Sequence, residues 1–169
     1  DVLKSSILQA IYREAQRSGQ PIYCIVEDTI ASHTRPSSQA VHPIEAAYFH
    51  QSHLKGCQDY GHQVVSVMLS CNGITLNYAV ILYDKSRSKI QIVQEIAEEL
   101  PAAPVISYFL CDSWYTTAKV MDRFIRKGFY TVGALKTNRI LYPCGIRQKA
   151  SAFSLHFRKT DRDVSLVPV

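Results

Sequence analysis

Residues 22–29 read IYCIVEDT, and residues 105–112 read VISYFLCD. Each run is short and mostly apolar, which predicts strands buried inside a sheet over residues 22–26 and 105–111. An aspartate stands at the end of each run, Asp28 in the first and Asp112 in the second. The two runs therefore predict two buried strands that each bring a carboxylate to a strand end.

The segments around these runs predict the rest of the fold. Residues 63–70 and 74–83 are strand-like, and Asn72 and Gly73 between them are typical of a hairpin turn. Apolar residues at helical spacing predict helices within residues 3–15, 88–100 and 113–128, and a last clear strand is predicted at 129–135. Because strands and helices alternate in the second half, we predict an α/β fold whose mixed sheet has antiparallel strands first, then parallel strands, flanked by helices.

No linker or internal repeat divides the sequence, so residues 1–169 are predicted to form one domain. Residues from about 29 to 62 show neither helical nor strand periodicity and are rich in Ser, His, Gln and Pro. They predict a single long loop, which inside a compact domain is often functional. Near the end of the sequence, residues 153–157 and 164–167 are strand-like.

The composition excludes several classes of protein. The 169 residues are 47% hydrophobic and 20% charged, as in ordinary globular domains and unlike disordered, collagen-like or coiled-coil chains. The longest apolar run, residues 78–83, is far too short to cross a membrane. The five cysteines form no CxxC pair, which favours reduced thiols and a cytoplasmic protein.

Positive charge is concentrated in the second half of the sequence. Residues 119–169 contain eleven Lys and Arg against three Asp, whereas residues 1–118 contain eight basic and eleven acidic residues. This asymmetry favours an anionic partner for the second half, and a solvated basic surface is the alternative interpretation.

Asp28 and Asp112 carry the most specific chemical signal. In an open α/β sheet, ligands bind beyond the carboxyl ends of the strands, so two carboxylates on neighbouring strands share one crevice. Paired carboxylates bind Mg²⁺ or Mn²⁺ rather than zinc. The alternative is that each aspartate only caps the next turn or helix, an interpretation that is strongest for Asp112 because Ser113 follows it.

The order of these motifs resembles a known family. Val26-Glu27-Asp28-Thr29 and Leu110-Cys111-Asp112 resemble the DDE transposases of bacterial insertion sequences, in the branch whose first acid lies in an E/D-D-T motif. The resemblance extends from about residue 23 to residue 139. It implies a ribonuclease H-like fold, in which a three-stranded meander and a helix precede alternating strands and helices. It also implies that residues from about 140 to 169 begin a β-rich insertion.

By that resemblance, Asp28 and Asp112 are the first two carboxylates of a catalytic triad and ligands of Mg²⁺ (or Mn²⁺). The implied reaction is two-metal cleavage of DNA phosphodiester bonds and strand transfer at transposon ends. Double-stranded DNA at the transposon ends and at the target is the implied partner, with a homodimer of the full-length protein. The third carboxylate of the family, a Glu in a Y-x2-R-x3-E-x6-K motif, has no counterpart, since the last Glu of the sequence is Glu99. We therefore expect a truncated transposase core that is inactive alone.

Basic and aromatic residues near the two acids are further candidates. Lys136, Asn138 and Arg139 follow the strand at 129–135 and are predicted to contact the DNA backbone, with a solvated loop as the alternative. Trp114 and Tyr115 are candidates for stacking on an unpaired base, but packing is the favoured role for both. The basic face of the helix within 113–128 is predicted to face solvent; it consists of Lys119, Arg123, Arg126 and Lys127.

Other functions stay open on the sequence alone. A non-catalytic DNA-binding or assembly domain of a decayed or domesticated transposase would keep the fold without a complete triad. Another ribonuclease H-like nuclease would share the acids without needing transposon ends. A zinc site is not favoured, because His50, His53, Cys57 and His62 match no common zinc spacing. A phosphate-binding loop is not favoured either, because G-x-G-x-x-G does not occur.

Overall fold

The structure is a computed structural model that describes residues 2–37, 44–52 and 55–157. The chain divides into two compact units, residues 1–133 and residues 134–169. The first unit contains, in order, α1 (Val2–Ser18), β1 (Ile22–Ser32), β2 (Tyr48–Ser52), β3 (Cys57–Cys71), β4 (Ile74–Tyr83), α2 (Lys89–Glu99), β5 (Ser107–Cys111), α3 (Ala118–Arg126) and β6 (Phe129–Gly133). The second unit contains β7 (Ile140–Leu141), β8 (Gln148–Lys149) and α4 (Ala150–Phe153).

The first unit is built on one mixed sheet. Strand β1 lies at its centre, antiparallel to β3 on one side and parallel to β5 on the other, and β6 continues the parallel half. Strands β2 and β4 share the other edge of β3, since Gly61 pairs with β2 and Gln63 pairs with β4 while both also pair with β1. This arrangement confirms the predicted mixed α/β sheet of the ribonuclease H-like type.

The core forms between one face of the sheet and helices α1, α2 and α3. Alternation along β1 places Ile22, Cys24 and Val26 in this core, while Tyr23 between them is 37% exposed. The helices present apolar stripes to the same cluster, which includes Ile11 of α1, Ile96 of α2 and Phe124 of α3. The rings of Phe109 and Phe124 stack with their centroids 3.7 Å apart, which fixes α3 against β5.

The prediction of one long loop over residues 29–62 is wrong for much of the segment that the structure describes. Strand β1 continues to Ser32, β2 occupies Tyr48–Ser52, and β3 begins at Cys57. The polar composition hid these strands because this part of the sheet is largely exposed, so strand pairing does not require alternating apolar residues there. Residues 38–43 and 53–54 of the predicted loop lie outside the described residues.

The second unit contains a short antiparallel ladder in which Ile140 pairs with Lys149 and Leu141 with Gln148. The strand predicted at 153–157 is wrong, because helix α4 and a 3₁₀ turn over Ser154–His156 occupy this segment. Phe153 and Phe157 are four positions apart, a spacing that fits either period, and their rings meet edge-to-face at 5.0 Å. The strand predicted at 164–167 lies outside the described residues.

Within the described residues, no helix is both long enough and apolar enough to cross a membrane.

Candidate active site

Asp28 lies inside β1 rather than at its end. The prediction that the strand stops at Val26 is wrong on the β3 side, where Asp28 pairs with Val65 and pairing continues to Ser32. On the β5 side, however, the parallel ladder ends where Val26 pairs with Cys111. Asp28 therefore lies where β1 has lost its parallel neighbour, on the core-facing side of the strand and at the edge of the crevice beyond the carboxyl ends of the parallel strands.

Asp112 comes directly after β5 and organises the turn that follows. Its Oδ1 accepts hydrogen bonds from the backbone N–H groups of Trp114, at 2.9 Å, and Tyr115, at 3.3 Å. The hydroxyl of Thr116 donates to the backbone oxygen of Asp112 at 2.9 Å. The capping interpretation of Asp112 is thus correct for one carboxylate oxygen, and among the described residues none donates a hydrogen bond to the other oxygen.

The predicted helix start at Ser113 is wrong. Helix α3 begins at Ala118, with Thr117 as its N-cap residue, because the turn held by Asp112 occupies the intervening positions.

Tyr115 lies close to both aspartates. Its side chain is fully buried, and its hydroxyl has no hydrogen-bond partner among the described residues. Burial raises the pKa of Tyr115, and the negative charges of Asp28 and Asp112 raise it further. The two carboxylates therefore act on one buried hydroxyl, and the favoured packing role of Tyr115 is confirmed.

Two side chains that the sequence did not single out hold Asp28. The amide Nε2 of Gln63 donates a hydrogen bond to Asp28 Oδ2 at 2.5 Å, and the ammonium group of Lys89 forms an ion pair with the same oxygen. Lys89 is the first residue of α2 and is separated from Asp28 by 61 positions. In the sequence, the capping-box pattern of Ser88 and Gln91 predicts where α2 begins. It does not predict that Lys89 contacts Asp28.

Two aromatic rings enclose the ammonium group of Lys89. It lies 4.8 Å from the ring centre of Trp114 and 5.9 Å from that of Tyr83, within the range of cation–π attraction. Since the backbone N–H of Trp114 also bonds to Asp112, Lys89 and Trp114 connect the surroundings of the two acids.

His50 of β2 is a further titratable group near Asp28. The residue is buried, and its Nε2 has no hydrogen-bond partner among the described residues. Burial lowers the pKa of the His50 imidazole, and the charge of Lys85 lowers it further. A hydrogen bond with the Gly61 backbone and the charge of Asp28 act in the opposite direction.

The donor groups of this site fit a hard divalent cation. Asp28 and Asp112 offer carboxylate oxygens, the ligands that Mg²⁺ and Mn²⁺ prefer, and Asp28 already binds a cationic group in the ammonium of Lys89. Within the described part of the chain, no three His, Cys, Asp or Glu side chains lie close enough together to hold a metal ion. Among the described residues, the candidate metal ligands are therefore the two carboxylates of Asp28 and Asp112.

Among the described residues, the histidines and the cysteine of the disfavoured zinc pattern do not form a metal-binding group. His50 is buried, Cys57 is exposed, and His62 forms a 2.8 Å hydrogen bond with His33. His53 lies outside the described residues.

Lys136, Asn138 and Arg139 lie in a turn of the second unit. The backbone N–H of Arg139 donates to the oxygen of Lys136, and the oxygen of Arg139 accepts from Ala150, which ties the turn to the start of α4. Lys136 and Asn138 are exposed and Arg139 is half-buried. Contact of these residues with DNA stays a prediction.

The basic face of α3 has two roles. Lys119 and Arg126 are exposed, as predicted. Arg123 instead forms an ion pair with Glu98 at 3.1 Å, and Lys127 donates to the backbone oxygen of Glu98 at 2.8 Å. Half of the predicted solvent-facing surface therefore holds α3 against α2.

Comparison with known protein families gives a match. Residues 22–162 match the model of a family described as the transposase DDE domain. Neither the curated proteins nor the solved structures contain a match. The matched region begins with β1 and contains Asp28, Asp112 and every strand of the central sheet. Because the match covers most of the length of the chain, the chain belongs to the transposase DDE domain family.

Proposed function

We propose that the chain is the catalytic core of a bacterial insertion-sequence transposase, which cleaves DNA phosphodiester bonds at transposon ends and transfers the strand to target DNA. The observation that carries the proposal is the placement of Asp28 and Asp112 at the end of the β1–β5 parallel ladder, inside the region that matches the family. Carboxylates at this position serve phosphoryl transfer by holding cations rather than by attacking the substrate.

Asp28 and Asp112 are the residues that would hold Mg²⁺ or Mn²⁺. When bound, such ions polarise the phosphodiester and stabilise the charge that develops on the leaving oxygen. The chain itself orients the two carboxylates: Gln63 fixes Asp28, and the turn through Trp114 and Thr116 fixes Asp112. Tyr115 is fully buried, and the charges of both carboxylates raise the pKa of its hydroxyl.

Double-stranded DNA is the proposed substrate and partner. The excess of basic residues after position 118 favours a polyanion, and Lys136, Asn138 and Arg139 are proposed to contact its phosphates. The proposed setting is the bacterial cytoplasm, with a homodimer of the full-length protein acting on paired transposon ends.

The test of the reaction class uses the full-length protein that contains residues 1–169, because the family's third acid has no counterpart after Asp112. Labelled duplexes that carry the ends of the parent element are incubated with Mg²⁺ and target plasmid, beside duplexes of scrambled end sequence. We expect cleavage at the element ends and joined products only with the native ends. Cleavage of both duplexes without joining would indicate another ribonuclease H-like nuclease.

The second candidate is a DNA-binding or assembly domain without catalysis. It is favoured by one observation, that the described residues supply two carboxylates and no third. In the same assay this candidate predicts a retarded DNA band and no cleaved product at any Mg²⁺ or Mn²⁺ concentration.

A further inference from the structure

We propose that Lys89 is the internal counter-cation of Asp28, and that a divalent cation binds at Asp28 by displacing the Lys89 ammonium group. This inference rests on the proposed function, because it takes Asp28 as a metal ligand. It assigns to Lys89 a positioning role in the metal-free protein and a control over metal affinity.

The position of Lys89 on its helix is electrostatically unfavourable. Lys89 is the first residue of α2, directly after the N-cap Ser88, and the first turn contains no acidic residue. The N-terminus of a helix carries partial positive charge and favours anions, so a lysine there is repelled by its own helix. A residue that contradicts its local structure in this way needs a partner elsewhere, and that partner is Asp28.

The pair is largely shielded from water. The side chains of Lys89 and Asp28 are each 14% exposed. Two charges buried to this extent are retained only when they pair, because either charge alone would lose its hydration without compensation. In the metal-free protein, Lys89 therefore neutralises the carboxylate that the proposed function assigns to the metal.

The two donors to Asp28 leave one oxygen open. Gln63 and Lys89 both approach Oδ2, and among the described residues none donates a hydrogen bond to Oδ1. A divalent cation that approaches this carboxylate meets the charge of Lys89 a few ångströms away, and repulsion at that distance in a half-buried site is strong. Binding of the cation and retention of the ion pair are therefore mutually unfavourable.

The aromatic rings beside Lys89 provide a reporter for this exchange. The ammonium group lies 4.8 Å from the ring centre of Trp114, and Trp114 is the single tryptophan of the sequence. Displacement of the ammonium changes the charge next to this indole, so the intrinsic fluorescence of the wild-type chain reports on the ion pair.

The experiment measures Mn²⁺ binding to the 169-residue chain by electron paramagnetic resonance, in wild type, Lys89→Met and Lys89→Arg. Lys4→Met is the matched control, because Lys4 also pairs with a carboxylate, that of Glu99, and lies 5.5 Å from a tyrosine ring, but contacts the opposite end of α2. We expect Lys89→Met to bind Mn²⁺ about tenfold more tightly or better, because it removes the competing charge. Lys89→Arg and Lys4→Met should bind within about twofold of wild type, since both keep the charge at position 89.

Thermal unfolding in EDTA and Trp114 fluorescence supply the second readout. Without metal, Lys89→Met should melt at a lower temperature than wild type, and Mn²⁺ should raise its melting temperature more than that of wild type. Mg²⁺ should change the Trp114 emission of wild type differently from that of Lys89→Met, because only wild type has an ammonium group beside the indole to displace. If Lys89→Met does not fold, Lys89→Gln replaces it, because its amide keeps a hydrogen-bond donor near Asp28.

Asp28→Asn separates failure of this inference from failure of the proposed function. Loss of Mn²⁺ binding in Asp28→Asn, together with unchanged or weaker binding in Lys89→Met, would overturn the role of Lys89 alone. If the 169-residue wild-type chain binds no Mn²⁺, the same variants are measured in the full-length protein that contains it. Mn²⁺ binding that survives Asp28→Asn, or a full-length wild-type protein that binds no Mn²⁺, would overturn the metal site and the inference together.

Discussion

The side-chain amide of Gln63 donates a 2.5 Å hydrogen bond to the carboxylate of Asp28, although 35 positions separate the two residues. The antiparallel register explains the contact: Asp28 pairs with Val65 and Ile30 pairs with Gln63, so Gln63 is the diagonal neighbour of Asp28 on the same face. The β1–β3 pairing thus helps to set the orientation of the Asp28 carboxylate.

Replacing Gln63 should destabilise the protein through Asp28. Gln63→Leu removes a buried donor to a charged acceptor, and we expect a loss of about 2 kcal/mol in the free energy of unfolding, measured by urea denaturation. Gln58→Leu is the control, since Gln58 lies exposed on the same strand, and it should change the free energy by less than about 0.5 kcal/mol. Equal effects of the two substitutions would show that the hydrogen bond to Asp28 contributes nothing.

His50 should make the stability of the protein depend on pH. Its pKa in the folded state is lowered from the ordinary value of 6.5, chiefly by burial. As the pH falls through about 6.5, the unfolded chain takes up a proton that the folded chain does not, so the free energy of unfolding decreases towards pH 5 and is unaffected above about pH 7.5. Urea denaturation at each pH should show that the free energy of unfolding depends less steeply on pH in His50→Gln than in wild type. The same pH dependence in both proteins would contradict the assignment of this effect to His50.

Gly61 allows β1 and β3 to approach where β2 joins the sheet. A β-carbon at this position would lie 2.1 Å from the backbone oxygen of Ala31, and a backbone atom cannot turn aside as a side chain can. We expect Gly61→Ala to lower the free energy of unfolding by about 1–3 kcal/mol, with Ser66→Ala on the same strand as a control near zero. A Gly61→Ala variant as stable as wild type would mean that β1 and β3 can move apart at this position without lowering the free energy of unfolding.

Tyr115 should tolerate loss of its hydroxyl. Because this buried group has no hydrogen-bond partner among the described residues, Tyr115→Phe removes an unsatisfied polar atom and keeps the packing of the ring. We expect the free energy of unfolding to stay the same or to increase by up to about 1 kcal/mol. A decrease of about 2 kcal/mol, measured by thermal or urea denaturation, would reveal a hydrogen bond that the hydroxyl makes.

The placement of the two acids beside buried strands could be predicted because the signal is local. Asp28 and Asp112 each follow a short apolar run, and such runs indicate buried strands wherever they occur. Their surroundings could not be predicted in the same way. Lys89 and Gln63 reach Asp28 only through the fold, across 61 and 35 positions, and neither lies in a motif.

The wrong predictions of secondary structure also have physical causes. The polar ends of β1 and β3 and all of β2 form strands without the expected alternation, since they pair away from the core. Phe153 and Phe157 fit both periods, and the helical contact between their rings decides between them. Sequence pattern predicts elements best where apolar residues line a buried face, whereas the buried positions of β2, His50 and Ser52, are polar.

The central claim is that Asp28 and Asp112 together carry metal-dependent DNA cleavage. The most direct measurement is the rate of cleavage at native transposon ends by the full-length protein, in Asp28→Asn and Asp112→Asn. Glu27→Gln and Asp122→Asn are the controls, because Glu27 is the exposed neighbour of Asp28 on the other face of β1 and Asp122 is exposed on α3. We predict that each site variant loses at least about a hundredfold in rate while both controls cleave like wild type. Cleavage at the wild-type rate by either site variant would contradict the claim.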